Sequence, residues 1–238
     1  MRGLFLSVLF AVSATYIPVE AKKYKYINCS SIPERTVVVF DFHGVIAKPR
    51  AGKAIKGFFK NKKKSRFIGK LLKKEKVVAY EKAFLNKDGQ LSKDDRRTLN
   101  PHTIDEEVVQ IARDIKAKGY PVFLCTDMGE DSFNYFKDKR PDLFGEDGLF
   151  CACWCSGRDN CYVCKKEPKA FELCKNMIKN WAKKNQVLEP TSFVMIDDSS
   201  SKLDAARING FSCYKFKNNI KRSAAKRLRR ALEIANIL

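Results

Sequence analysis

The sequence predicts an α/β fold built on a doubly wound parallel sheet that carries a small helical insertion. Three observations predict it. Short β-branched or aromatic runs stop at polar groups three times, at Asp41, at Thr126-Asp127 and at Asp197-Asp198. Segments with apolar residues at spacings of three and four separate these runs, and strands alternating with helices imply parallel pairing with helices on both faces. With 238 residues and 45% hydrophobic composition, the chain is long enough to bury one full core.

The first 21 residues follow the secretory pattern: Arg2, an apolar run from Leu4 to Val12, then Val19-Glu20-Ala21 as a small-residue cleavage site. Ser7, Ser13, Thr15 and Pro18 interrupt this stretch, which falls short of the ~20 apolar residues a spanning helix needs. A signal peptide over residues 1–21 and export, periplasmic or secreted, are therefore expected, with the mature chain starting near Lys22. No later segment is apolar enough to be a transmembrane span.

Residues 22–35 read as a linker. Thr36 to Phe40 is a buried parallel strand by composition, and Gly44 marks the turn after it. From residue 48 to 100 the pattern is helical, with Ile55, Phe58, Phe59, Phe67, Ile68, Leu71 and Leu72 set among lysines. This is a basic helical insertion, which leaves 22–47 and 101–238 as the α/β core. Residues 48–76 hold thirteen Lys or Arg against one Glu, within a formal net charge of +20. Such a field draws anionic partners and says little about fold. Lysines alternating with phenylalanines suit an anionic surface; no nucleic-acid module motif is present, which argues against RNA or DNA.

Thr103 is the expected N-cap of a helix that runs through the acidic turn Asp105-Glu106-Glu107 to Lys118 and stops at Gly119. Pro121 to Cys125 is the second strand, Asp131 to Lys139 a helix broken at Arg140-Pro141. Leu149 to Trp154 and Tyr162-Val163 look extended around a Ser-Gly-Arg-Asp-Asn turn, so a cysteine-bearing hairpin is expected over residues 149–165. Cys153, Cys155, Cys161 and Cys164 could offer four sulfurs to Zn²⁺, but in an exported chain disulfides are the favoured use. Cys125, Cys174 and Cys213 lie on core elements and read as small apolar groups. A helix from Pro168 to Lys184, a strand from Ser192 to Ile196, a helix from Ser201 to Asn209 stopped by Gly210, a strand from Phe211 to Phe216 and a basic amphipathic helix complete a Rossmann-like order. His102, Trp154 and Trp181 read as structural.

In a doubly wound sheet the carboxyl ends of the strands open on one crevice. Asp41, Asp197 and Asp198 would meet there, and three carboxylates in a small volume are relieved most simply by a hard cation with oxygen ligands, for which Mg²⁺ is the natural choice.

Four motifs occur in order: VVVFDFHGVI, VFLCTDMG, KKEPKAF and FVMIDDSSSKLDAARINGF. Together, over residues 36–216, they resemble the haloacid dehalogenase-like hydrolase superfamily, in the subfamily with a helical cap between the first and second motifs. The resemblance implies that Asp41 is the nucleophile, that Thr126 and the next backbone amide, at Asp127, hold a phosphoryl oxygen, and that Lys165, or Lys166 beside it, neutralises charge. Asp41, Asp197, Asp198 and the backbone carbonyl of His43 would ligate Mg²⁺. His43 stands where the family usually has a second Asp, the acid and base of the reaction; imidazole can do both near neutrality.

The implied activity is hydrolysis of a small phosphomonoester through an aspartyl-phosphate. The alternative is a protein of this fold with impaired catalysis that binds an anionic partner. Dehalogenation uses the same nucleophile without a metal, so the paired acids speak against it.

Overall fold

A computed structural model describes residues 35–49, 102–159, 163–217 and 223–238. The expected signal peptide, nearly all of the expected linker and basic insertion, and Cys161 lie outside the described residues.

Five strands form one parallel sheet: β1 (Thr36–Phe40), β4 (Val122–Thr126), β5 (Ala152–Cys155), β6 (Ser192–Asp197) and β7 (Ser212–Lys215), in the order β5-β4-β1-β6-β7. The chain leaves central β1 for β4 and β5 on one side, then crosses to β6 and β7 on the other. The switch point lies at β1, between β4 and β6, and their carboxyl ends bound the crevice.

The alternation of side chains along each strand sorts the core into two layers. Val38, Phe40, Leu124, Val194 and Ile196 face one side, packed by α1 (Glu106–Ala117), α2 (Glu130–Lys139) and α6 (Ala224–Ile234). Val37, Val39, Phe123, Cys125, Phe193 and Met195 face the other, packed by α4 (Pro168–Lys184) and α5 (Ser200–Ile208). Every residue of β1 and β4 is buried, as a central parallel strand requires. The helix stops come where glycine predicts them: α1 gives way to Gly119 and α5 to Gly210, both at positive φ.

A second, two-stranded sheet pairs β2 (Ala47–Pro49) antiparallel with β3 (His102–Ile104). Residues 50–101 connect one strand of this ribbon to the other. This ribbon corrects the helix start expected at Thr103. Thr103 pairs with Lys48 in the ribbon, and α1 begins at Glu106 with Asp105 in the N-cap position. Local capping preference yields because ladder hydrogen bonds already engage the backbone at 102–104.

Two further expectations change. Arg140-Pro141 ends α2 as predicted, but Pro141 opens a single-turn helix, α3 (Pro141–Phe144), in which its missing N–H costs nothing. The extended cysteine segment is no arm of a small hairpin: β5 pairs parallel with β4 and forms the edge of the main sheet. Its alternation of Cys153 and Cys155 with Trp154 buries the two thiols on one face and the indole on the other.

Cysteine chemistry follows from that burial. The seven described cysteines are all free thiols, so the expected disulfides are absent among the described residues. Cys155 Sγ donates to the Met128 carbonyl at 2.9 Å, and burial pushes both Cys153 and Cys155 thiols up to about 12. A protonated, buried thiol is a poor zinc ligand, and no cluster able to hold a metal forms around the described cysteines. Among the described residues, no helix is long and apolar enough to cross a membrane.

Candidate active site

Asp41 follows β1 directly. Its backbone N–H donates to the Ile196 carbonyl at 2.8 Å, extending the β1–β6 ladder by one bond and holding the carboxylate at the crevice. The chain then reverses at once: Ala47 N–H donates to the Phe42 carbonyl and Gly44 N–H to the Ala47 carbonyl, each at 2.8 Å. Gly44 takes φ +85°, and a Cβ built there would stand 2.2 Å from Asp198 Oδ2. Only glycine permits both the turn and this close approach of the acid. Gly44→Ala is therefore expected to cost about 1–3 kcal/mol of stability and to move Asp198. Thermal denaturation with and without Mg²⁺ checks it: the variant should lose most of the ion's stabilising effect as well as lowering the metal-free melting point.

Asp197 ends β6 and Asp198 follows it. The Asp197 backbone carbonyl accepts from Phe216 N–H at 2.9 Å, and its Oδ1 accepts from Ser199 N–H at 2.8 Å. Asp41 and Asp197 are buried, Asp198 exposed, and one carboxylate oxygen of each lies within 4.8 Å of the others. An all-oxygen set open to solvent on one side suits a hard divalent cation, which keeps some of its water. The residues present fit Mg²⁺.

Lys165 is the cation at the centre. It is fully buried, and its Nζ lies 2.6 Å from Asp41 Oδ1, 2.7 Å from Asp197 Oδ2 and 2.9 Å from the Cys125 carbonyl, which occupies its three donors. Lys166, the alternative for this role, is exposed. The motif alignment favours Lys165 and keeps Lys166 as a substitute; the geometry places Lys165 among the carboxylates and Lys166 at the surface.

The charges set the acidities. Burial acts to raise the Asp41 carboxyl, but the Lys165 and Lys202 ammonium groups outweigh it and hold it down to about 2. Asp197 goes the other way, pushed up to about 7 by burial and by the Asp41 charge, against the pull of Lys165. Asp41 is thus an anion at any physiological pH, while Asp197 sits near half-protonation in the metal-free site. For Lys165, burial acts to lower its pKa and the two carboxylates override it, so it stays protonated.

Asp41 Oδ1 also accepts from Phe42 N–H at 2.8 Å, whereas Asp41 Oδ2 is buried without a hydrogen-bond partner. One oxygen is anchored and the other is left able to react.

Thr126 ends β4, adjacent to β1, and is fully buried. Its Oγ1 accepts from Met128 N–H at 3.3 Å, an orientation that ties the hydroxyl to the loop beyond the strand. Asp127 turns its side chain to two lysines: Oδ1 accepts from Lys165 N–H at 2.7 Å and Oδ2 lies 3.0 Å from Lys202 Nζ. Its carboxylate thus holds the Lys202 ammonium and the backbone amide of Lys165, while the contribution expected of it towards a phosphoryl group is that of its own backbone N–H.

His43 sits in an aromatic setting. Its ring centroid is 5.1 Å from Phe42, 6.5 Å from Phe136 and 4.5 Å from His102, which β3 brings against it. His102, read from sequence as merely structural, is thus the nearest imidazole to the site. Burial and the neighbouring His102 lower His43 to about 3, so its imidazole is neutral.

Sequence reasoning missed Lys202. It stands in the first turn of α5, four residues past Asp198, and brings Nζ to 3.6 Å from Asp41 Oδ2. The signal lay in the fourth motif: a lysine in the first turn of the helix that follows paired acids lies over those acids, because helical side chains lean towards the N-terminus.

No protein-family model matches the sequence, and no curated protein matches it. Solved structures do match. The HAD-family enzyme BT-2542 of Bacteroides thetaiotaomicron, in complex with magnesium and inorganic phosphate, is similar at 18% identity with a TM-score of 0.58, over 79% of this chain and 97% of that one. A predicted HAD-like family hydrolase of Porphyromonas gingivalis is similar at 18% identity and a TM-score of 0.59, over 83% and 97%. The L-2-haloacid dehalogenase RSc1362 is similar at 13% identity and a TM-score of 0.54, over 84% and 100%. Strand order, the placing of the motifs at the strand ends and these neighbours agree: the chain adopts the fold of the haloacid dehalogenase-like superfamily.

Proposed function

We propose that this chain is a Mg²⁺-dependent phosphatase that hydrolyses a small phosphomonoester through an aspartyl-phosphate on Asp41. The observation that carries the reading is the Asp41 carboxylate itself: one oxygen held by Phe42 N–H and Lys165, the other buried, ionised and unbonded, beside two more carboxylates within one ion's reach. A lone nucleophile needs no such cluster, so dehalogenation leaves Asp197 and Asp198 unexplained. The magnesium and phosphate bound by the Bacteroides protein support the same choice.

In this reading Asp41 Oδ2 attacks phosphorus in line; the new O–P bond forms as the bond to the leaving oxygen breaks. Mg²⁺ bound by Asp41, Asp197, Asp198 and the His43 carbonyl would neutralise negative charge on the phosphoryl oxygens. Lys165 keeps Asp41 ionised and fixes its orientation. Thr126 and the Asp127 amide steady a non-bridging oxygen. Water then attacks phosphorus, the Asp41–phosphorus bond breaks, and the proton released by the water passes to solvent. The test is Mg²⁺-dependent release of phosphate from an aryl phosphate; no turnover across a broad panel of phosphomonoesters would overturn it.

A second reading, a protein of this fold with blunted catalysis whose basic segment at 48–76 engages an anionic partner, is favoured by the setting of His43. An imidazole packed on Phe42, Phe136 and His102 is poorly placed to hold the proton that an alkoxide leaving group needs. Aryl phosphates leave without that proton and alkyl phosphates do not. His43→Asp is then expected to raise alkyl phosphate turnover at least tenfold and to change aryl turnover little. Equal or lower rates on both would show that His43 already serves the acid step.

A further inference from the structure

Two lysines flank Asp41, and they are not equivalent. Lys165 approaches Oδ1, is completely sealed from solvent and has its three donors engaged by Asp41, Asp197 and the Cys125 carbonyl. Lys202 approaches from α5 on the Oδ2 side. Its side chain is 19% exposed, it pairs with Asp127 Oδ2 at 3.0 Å, and at 3.6 Å it stands beyond hydrogen-bonding reach of Asp41 Oδ2. That oxygen is the buried one with no hydrogen-bond partner.

The gap has a chemical meaning. A carboxylate oxygen that attacks in line must keep a lone pair free, and a hydrogen bond from an ammonium group would occupy it. A cation set just out of bonding range keeps Asp41 ionised without blocking it. When a phosphoryl group arrives at Oδ2, its non-bridging oxygens come within a bond length or two of that point, on the side where Lys202 Nζ waits. An ammonium has three donors, and the ion pair with Asp127 engages one. Of the two lysines that flank Asp41, only Lys202 has solvent exposure.

We propose that Lys202 is a substrate-contacting residue: its ammonium group donates to a non-bridging oxygen of the phosphoryl group attacked by Asp41, while Asp127 keeps it poised. Lys165 is then the positioning residue, which holds the nucleophile and Asp197. The division rests on the phosphatase reading of Asp41. It also narrows the substrate to one presenting a phosphate dianion. With a divalent ion bound, Lys165 and Lys202 bring the four carboxylates Asp41, Asp127, Asp197 and Asp198 to neutrality, so a dianion enters without net repulsion. Without Lys202 it meets a net negative site.

The experiment uses the mature chain with saturating Mg²⁺ and compares wild type with Lys202→Met, Lys202→Gln and Lys202→Arg. Two readouts are taken: inhibition of aryl phosphate turnover by inorganic phosphate, and the rise in melting temperature that inorganic phosphate produces. The Met and Gln variants should weaken phosphate inhibition roughly 10- to 100-fold, the range for a hydrogen bond between charged groups. They should lower kcat/KM at least as much and lose the phosphate-induced melting shift, while the Mg²⁺ concentration for half-maximal stabilisation stays within threefold. Arg should recover part of both losses, which a purely structural role would not predict for so different a head group. If Met unfolds the protein, Gln and Arg still carry the comparison. Wild-type turnover with Gln and Met variants within threefold of it in phosphate inhibition overturns the role of Lys202 alone. A wild-type protein with neither turnover nor a phosphate-induced shift overturns the phosphatase reading and this inference with it.

Discussion

Asp41→Asn is expected to lower Mg²⁺-dependent phosphate release at least about a thousandfold, equivalent to roughly 4 kcal/mol in the barrier, while the protein stays folded. The carboxamide keeps an oxygen in the Oδ1 place, where it still accepts from Phe42 N–H and Lys165. What disappears is the anionic Oδ2, so no covalent intermediate can form. The structural cost is small because the variant removes one negative charge from a site that holds three further carboxylates, Asp127, Asp197 and Asp198, and two lysines. Single-turnover assays with trapping of the phosphoenzyme make the check direct: wild type should carry acid-stable label on the chain and the variant none. Residual turnover within tenfold of wild type would mean that another group attacks phosphorus.

Lys165→Met should have the largest effect on stability, about 3–5 kcal/mol, the usual cost of removing one partner from a buried charge pair. Asp41 and Asp197 would then face each other in the protein interior with no cation between them. On a chain of this length such a loss lowers the melting temperature by roughly 10 °C.

The pH dependence follows from Asp197. Its folded pKa, about 7, lies above the ordinary 3.8, so the folded protein binds a proton that the unfolded chain releases. Stability from this group is complete below about pH 3.8 and is lost as pH rises through about 7. Removal of Lys165 takes away the one contact that lowers this pKa most, which moves the loss to higher pH and deepens it. Melting curves of metal-free Lys165→Met should therefore fall further behind wild type at pH 8 than at pH 5. Added Mg²⁺ should restore part of the difference, since the ion would replace the missing positive charge between the same carboxylates. A variant as stable as wild type at pH 8 without metal would contradict the central place of Lys165.

Much of this site was legible in the chain because its chemistry sits at strand ends. A strand buried on both faces must be apolar throughout, and the chain can carry a carboxylate only where the strand stops. Thr36–Phe40 before Asp41, Val122–Cys125 before Thr126 and Ser192–Ile196 before Asp197 therefore announce both the element and the candidate site position. Parallel pairing then places all three ends on one edge, which turns three separate runs into a single crevice.

Where reading along the chain went astray, the competing interaction came from far away in sequence. Thr103 has the side chain of an N-cap, yet Lys48 claims its backbone for a ribbon. Cys153 and Cys155 look like disulfide or zinc partners, yet β4 claims their strand and the core claims their sulfurs. Neither partner is visible in local composition.

Local sequence by itself determined the α/β class, the three strand ends and the trio Asp41, Asp197 and Asp198, because periodicity and strand termination are properties of neighbouring residues. Only the tertiary structure showed that Lys165 is completely buried between Asp41 and Asp197, that Gly44 leaves room for Asp198, and that Lys202 overlooks the unpartnered oxygen of Asp41. Those placements depend on distances of a few ångströms from Asp41 and Gly44 to residues more than a hundred positions away, which are set by how β1, β4, β6 and α5 pack and not by any spacing along the chain.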